Sequence, residues 1–184
     1  MKKWLGKSLL GLFGWKISGE VPSDLKRMVM VAAPHTSNWD YPIAILSFWY
    51  IGIRMRYFIK DTYTRSVFGF IFRATGAIGV DRSRRGNLTG FAMELLAENE
   101  EMVILVPAEG TRSRVEKWKT GFYHIAVQSE VPIVLGYVNY DKKISGIGPV
   151  YYPTGDFETD MAHIEDFYRD KVGRFPEQYN PKIY

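Results

Sequence analysis

Hydrophobic and polar positions alternate between two periods along the chain. Trp4, Leu5, Leu9, Leu12 and Phe13 recur at helical spacing, while Lys2, Lys3, Lys7 and Lys16 lie mostly elsewhere around the same turn, so residues 1–17 read as a basic amphipathic helix. The apolar run Met28 to Ala33 reads as a buried strand, and a helix follows from about Tyr41 to Tyr50. Further strands are predicted at Arg56 to Ile59, Ala77 to Val80, Met102 to Val106 and Pro132 to Val138, with a weaker one at Ile144 to Val150. Helices are predicted at Ser66 to Thr75, at Asn87 to Asn99 with Asn87 as cap, at Thr120 to Ser129 and at Glu158 to Val172. Strands alternating with helices give an α/β class: one domain over 1–184, a mostly parallel sheet flanked by helices, and the amphipathic helix in front.

Composition narrows the function classes. Apolar residues are 46% and charged residues 24% of the 184, an ordinary globular balance. A formal net charge of +4 favours anionic partners such as phosphorylated substrates or lipid headgroups. It is mild for nucleic acid, and the arginines belong to no binding fold of that kind, so nucleic acid is not expected as a partner. The chain has no cysteine, which removes disulfides, thiolate zinc sites and cysteine nucleophiles together. Glycines and Lys7 interrupt the first apolar stretch and no small-x-small site follows it, so a secretory signal is not expected. The longest apolar run, Tyr41 to Ile53, falls short of the roughly 18–20 residues a spanning helix needs.

Three polar clusters follow directly on predicted strands: His35 to Asp40, Asp81 to Arg85 and Glu109 to Arg114. Ligands of open α/β sheets bind beyond the carboxyl ends of strands, so these loops are candidates to share a site. Histidine titrates near neutrality and suits a general base for a hydroxyl; a carboxylate on its other nitrogen fixes the tautomer. His35 and Asp40 could meet that way with His35 in the loop and Asp40 in the first helical turn. The residues alone leave a second and commoner arrangement open, in which Asp40 caps the helix and His35 is an ordinary loop histidine. Arg82, Arg84, Arg85, Arg112 and Arg114 are spaced like phosphate binders, with Gly110 allowing a close backbone approach. Glu109 could orient Arg112, accept from an acceptor hydroxyl or cap the next segment. There is no Gly-x-Ser-x-Gly elbow or Walker A loop, and His35, His124 and His163 are scattered, so no metal is expected.

Taken together these blocks resemble the glycerolipid acyltransferase family, typified by the 1-acylglycerol-3-phosphate acyltransferases. His35-Thr-Ser-Asn-Trp-Asp40 is similar to the family's His-x4-Asp motif, Gly79-Val80-Asp81-Arg82 to its second block, and Glu109-Gly110-Thr111-Arg112-Ser113 to its third. Val131-Pro132-Ile133-Val134 resembles the start of the fourth, although Leu135 stands where many members carry a second proline. The resemblance implies an O-acyltransferase in which His35, oriented by Asp40, deprotonates the hydroxyl of a lysophospholipid such as 1-acylglycerol-3-phosphate. That oxygen attacks an acyl thioester of coenzyme A or acyl carrier protein, a co-substrate, with no other cofactor. Arg82, Glu109, Gly110, Thr111 and Arg112 would bind the acceptor, and Pro132 would shape the site. A lyso-aminolipid acceptor is the alternative within this chemistry; a non-catalytic lipid-binding protein is the alternative outside it. The expected location is cytoplasmic, peripheral on the inner face of the membrane.

Overall fold

A computed structural model describes residues 2–81 and 87–184. Its centre is a seven-stranded sheet of β1 (Lys16–Ser18), β2 (Arg27–Ala33), β3 (Met55–Lys60), β4 (Ala77–Val80), β5 (Met102–Pro107), β6 (Ile133–Asn139) and β7 (Ile144–Tyr151), in the order β1-β7-β6-β2-β5-β3-β4. Every neighbouring pair is parallel except β6 with β7, which a short turn joins antiparallel. β2 pairs with β5 on one side and β6 on the other, so its Met28 to Val31 side chains are shut away from water on both faces. Double-faced burial is why this stretch reads as a continuous apolar run rather than an alternating one.

The helices are α1 (Lys2–Leu12), α2 (Asp40–Ile51), α3 (Asp61–Arg65), α4 (Gly69–Ala74), α5 (Leu88–Glu98), α6 (Gly121–Gln128) and α7 (Phe157–Tyr168), with a 3-10 turn at Pro176–Gln178. They divide between the two sheet faces. Ala92 and Leu96 of α5, Phe122 and Ile125 of α6 and Ile164 of α7 pack on Val29, Val31 and Ile104. Ile45 and Phe48 of α2 and Phe72 of α4 pack on Met28, Met30, Met55 and Val103 on the opposite face. α1 lies outside α2; a Cβ at Gly6 would stand 2.4 Å from the Leu46 carbonyl oxygen, so the close crossing of the two helices requires a glycine there.

Most predicted elements are present, and the differences have local causes. Lys16–Ser18 forms an edge strand that local pattern does not mark, because pairing with Ile144, Ser145 and Gly146 creates it. The helix expected over 66–75 is shorter, Gly69–Ala74, and a separate turn of helix precedes it at Asp61–Arg65. α7 stops at Tyr168 rather than Val172: the chain unwinds so that the Val172 carbonyl accepts from the Tyr140 amide at 2.9 Å. The residues beyond then fold back over the loops at the carboxyl ends of the strands. The Trp118 amide donates to the Ile183 carbonyl (2.9 Å), Arg114 to the Tyr179 carbonyl (2.7 Å), and Ile183 is fully buried.

A buried carboxylate ties α7 to the sheet. Asp160 accepts from the hydroxyls of Tyr123 (2.8 Å), Tyr151 (2.6 Å) and Thr154 (2.8 Å) and from the Thr154 amide (2.9 Å). Burial raises its pKa, but the donors outweigh burial and bring it down to about 2. Its stabilising contribution is therefore complete above the ordinary carboxylate range and fades as pH falls toward 2. Asp160→Asn, which turns an amide NH2 toward donors, should cost about 3 kcal/mol in urea unfolding at neutral pH. An unchanged midpoint would contradict this.

Candidate active site

The first candidate loop starts where β2 ends. After the cis Ala33–Pro34 bond the chain turns through His35 to Ser37, and Asp40 opens α2. Asp40 is not the helix cap: Trp39 occupies that position and makes no side-chain capping bond. The buried carboxylate points back into the loop instead. Its Oδ2 accepts from the amides of Thr36 and Ser37, both at 2.9 Å, and lies 3.2 Å from His35 Nδ1. Its Oδ1 accepts from the Tyr140 hydroxyl at 2.7 Å. With Nδ1 engaged, Nε2 is the nitrogen left for a substrate, and the ring is partly open to solvent at 27% exposure.

The third candidate loop, after β5, lies beside it because β5 pairs with β2. Glu109 is buried and its Oε1 accepts from the His35 amide at 2.8 Å. It therefore holds the backbone of the histidine loop from beneath rather than presenting a carboxylate to solvent. Gly110 adopts φ 70°, and a Cβ there would meet the Lys119 stem at 2.8 Å. Arg112 is exposed and donates to the Asn38 side-chain oxygen, and no carboxylate pairs with it among the described residues. Gln178, oriented with its amide nitrogen inward, donates to the carbonyls of Thr36 (3.2 Å) and Arg112 (2.6 Å), so the returning tail clasps both loops.

One expected site residue that the structure describes, Pro132, does not join this cluster. Arg82 lies outside the described residues, as do Arg84 and Arg85. Pro132 stands at the opening of β6, where its carbonyl accepts from the Val29 amide at 3.0 Å. Along parallel strands at about 3.3 Å per residue, that is roughly 16 Å from the level at which β2 ends. Its place is at the amino-terminal end of β6, opposite the end where the loops cluster.

A groove of about 940 Å³ runs from His35 across the sheet, near the top of the roughly 300–1,000 Å³ usual for small-molecule sites. Tyr41, Ala44 and Phe48 of α2 form one wall; Tyr57, Tyr63 and Phe72 form the other; Ala32 and Leu105 lie on the floor. Gly110, Thr111, Arg112 and Lys60 supply a polar, cationic rim beside the histidine. The groove thus joins an apolar interior to one imidazole and two basic side chains. At one place the hydroxyls of Tyr41, Tyr57 and Thr75 close a ring at 2.7–2.8 Å from one another. Thr75 faces a second cavity of about 470 Å³ on the other side. Among the described residues, no group of His, Asp and Glu is arranged to hold a metal.

The acyltransferase family model matches residues 16–135, which carry both loops. The chain belongs to the acyltransferase family. This acyltransferase also resembles in fold the crystal structure of the 1-acyl-sn-glycerophosphate (LPA) acyltransferase PlsC from Thermotoga maritima. The TM-score is 0.61 at 18% identity, covering 90% of this chain and 74% of that one. A search of curated proteins gives no significant match.

Tyr140, Asn38 and Lys60 are residues that the structure brings to this candidate site and the sequence did not single out. Tyr140 reaches Asp40 across 100 positions, from the turn after β6, and no local pattern marks such a partner. Lys60 directly follows the predicted strand Arg56 to Ile59, a position that marks it as a candidate at the carboxyl end of the sheet.

Burial pushes the Glu109 carboxyl up to about 7, only partly offset by the bond from the His35 amide, and its Oε2 has no hydrogen-bond partner. A carboxyl raised in the fold binds its proton more tightly there than in the unfolded chain. Its stabilisation is complete below the ordinary range and is lost as pH rises through about 7. Glu109→Gln keeps an oxygen for the His35 amide and cannot ionise. Thermal melts from pH 4.5 to 8 should show the parent losing about 3 kcal/mol more than the variant. Parallel curves would contradict the buried, raised carboxyl.

Proposed function

We propose that this acyltransferase moves a fatty acyl group from the thioester of coenzyme A or acyl carrier protein to the hydroxyl of 1-acylglycerol-3-phosphate. His35 Nε2 takes the hydroxyl proton as the acceptor oxygen attacks the thioester carbonyl. Asp40, on Nδ1, orients the ring and stabilises the imidazolium that forms. The tetrahedral intermediate collapses with cleavage of the carbon–sulfur bond. The thiolate departs and the imidazolium returns its proton, so atoms and charge balance. A thiol with an ordinary pKa near 8.5 leaves without strong acid assistance.

The observation that carries this reading is the 3.2 Å contact between His35 Nδ1 and the Asp40 carboxylate at the mouth of an apolar groove. The rest fits around it. Arg112, unpaired with any carboxylate among the described residues, is available for the acceptor's phosphate, with Lys60 across the same opening. Gly110 and Thr111 line the opening beside Arg112. Glu109 serves indirectly, by fixing the His35 amide. The apolar walls suit an acyl chain. Among the described residues no helix is long and apolar enough to cross a membrane. The reading places attachment at α1 and the residue after it, where Trp4, Leu12 and Phe13 are exposed beside lysines, on the inner face of the cytoplasmic membrane.

Incubation with labelled acyl thioester and a panel of lyso-acceptors, read by thin-layer separation, tests the proposal. The purified chain should acylate 1-acylglycerol-3-phosphate. His35→Ala should lower kcat by about 10³-fold or more with an unchanged melting temperature. Transfer to a lyso-aminolipid alone would overturn the acceptor, and undiminished transfer by the variant would overturn the mechanism.

A further inference from the structure

One wall of the groove has an unusual exterior. Val67 and Phe68, between α3 and α4, are 88% and 66% exposed, and Tyr63, Phe70 and Ile71 are exposed as well. Scattered apolar residues on a surface need no explanation, but five large ones within a nine-residue stretch form a patch. Loose packing is not the cause. The amide of Gly69 donates to the Ser66 carbonyl (2.8 Å) and that of Ile71 to the Phe68 carbonyl (3.0 Å). A Cβ at Gly69 would stand 2.0 Å from the Thr64 carbonyl oxygen and one at Gly79 2.2 Å from the Thr64 hydroxyl, so Gly69 lets α4 close on α3 and Gly79 lets α3 seat tightly on β4. A well-held backbone presents its bulkiest side chains outward.

The surroundings say what covers them. From Arg54 to Thr75 the chain carries five basic residues and one acidic one, Asp61, which pairs with Arg65 at 3.2 Å. A basic border makes a second copy of this positively charged chain a poor occupant and an anionic lipid surface a good one. The patch is also continuous with the groove, because Tyr63 and Phe72 of the same segment line it. Its end adjoins the other exposed apolar element: Lys2 of α1 shares the second cavity with Arg73, Ala74 and Thr75.

We propose that the α3–α4 segment inserts its apolar side chains into the headgroup–acyl boundary of an anionic bilayer and sets the groove against the lipid. Acyl chains then pass along Tyr63 and Phe72 toward His35 without crossing water. This rests on the acyltransfer reading above and adds the surface through which its lipids arrive. An interfacial element of this kind binds through buried apolar area plus attraction of basic residues to anionic headgroups, so both contributions are expected.

Sedimentation with vesicles of phosphatidylglycerol mixed with phosphatidylcholine, and of phosphatidylcholine alone, tests it on the full chain. Val67→Asp combined with Phe70→Asp should weaken partition to the anionic vesicles about tenfold or more. The melting temperature should stay unchanged, since both positions are solvent-exposed. The variant's rate with a short-chain, monomeric 1-acylglycerol-3-phosphate should match the parent's. Partition equal to the parent's would overturn the proposal, as would a parent that binds neither vesicle. A parent dimer that the variant turns into a monomer, with vesicle binding intact, would assign the patch to self-association instead. A parent inert toward the monomeric acceptor whose vesicle binding still depends on the patch would sink the acyltransfer reading and leave the membrane surface standing.

Discussion

The carboxylate of Asp40 accepts hydrogen bonds from the Thr36 and Ser37 amides and the Tyr140 hydroxyl, and lies against the His35 ring. Two of these donors belong to the turn itself, one comes from the turn after the neighbouring strand β6, and the imidazole is the group proposed as base. A buried carboxylate is unfavourable unless donors surround it, so its burial and the shape of the loop require each other. The histidine is positioned by a network made wholly of the chain's own groups, and such fixed orientation is what contributes to rate in a general base.

The sheet order explains why the cluster forms at this point. β2 is central, with β5 and β6 as its parallel neighbours, so the chains leaving all three emerge together. β2 supplies His35, β5 supplies Glu109 to Arg112, and the turn after β6 supplies Tyr140. The tail beyond α7 then crosses these exits and fastens them through Arg114, Trp118 and Gln178. On the α2 face the same central strands carry the groove floor, so apolar depth and polar rim come from one set of strands read at two heights.

The order and type of the main elements were legible because short apolar runs, bounded by polar loops, alternate with helical spacing. What escaped depends on contacts distant in sequence. Lys16–Ser18 becomes a strand only against Ile144–Gly146, and Asp61–Arg65 becomes a helical turn beneath a glycine of β4. The pairing of His35 with Asp40 was open on spacing alone; an Asp at a helix start more often caps it, and here Trp39 stands at the cap. The second carboxylate, Glu109, could not be assigned from its neighbours, since its direction depends on the loop's path past the His35 amide. Pro132 sits within a recognisable motif yet lies at the opposite end of its strand from the cluster.

The central claim is that Asp40 keeps the proton on Nδ1 of His35 and leaves Nε2 free to accept one. Nitrogen-15 NMR of the labelled protein, at a pH where the ring is neutral, reads the tautomer directly. The expected spectrum shows a protonated Nδ1 and an unprotonated Nε2 for His35, with this preference lost in Asp40→Asn. A resting Nε2–H tautomer, or one indifferent to the carboxylate, would contradict the account.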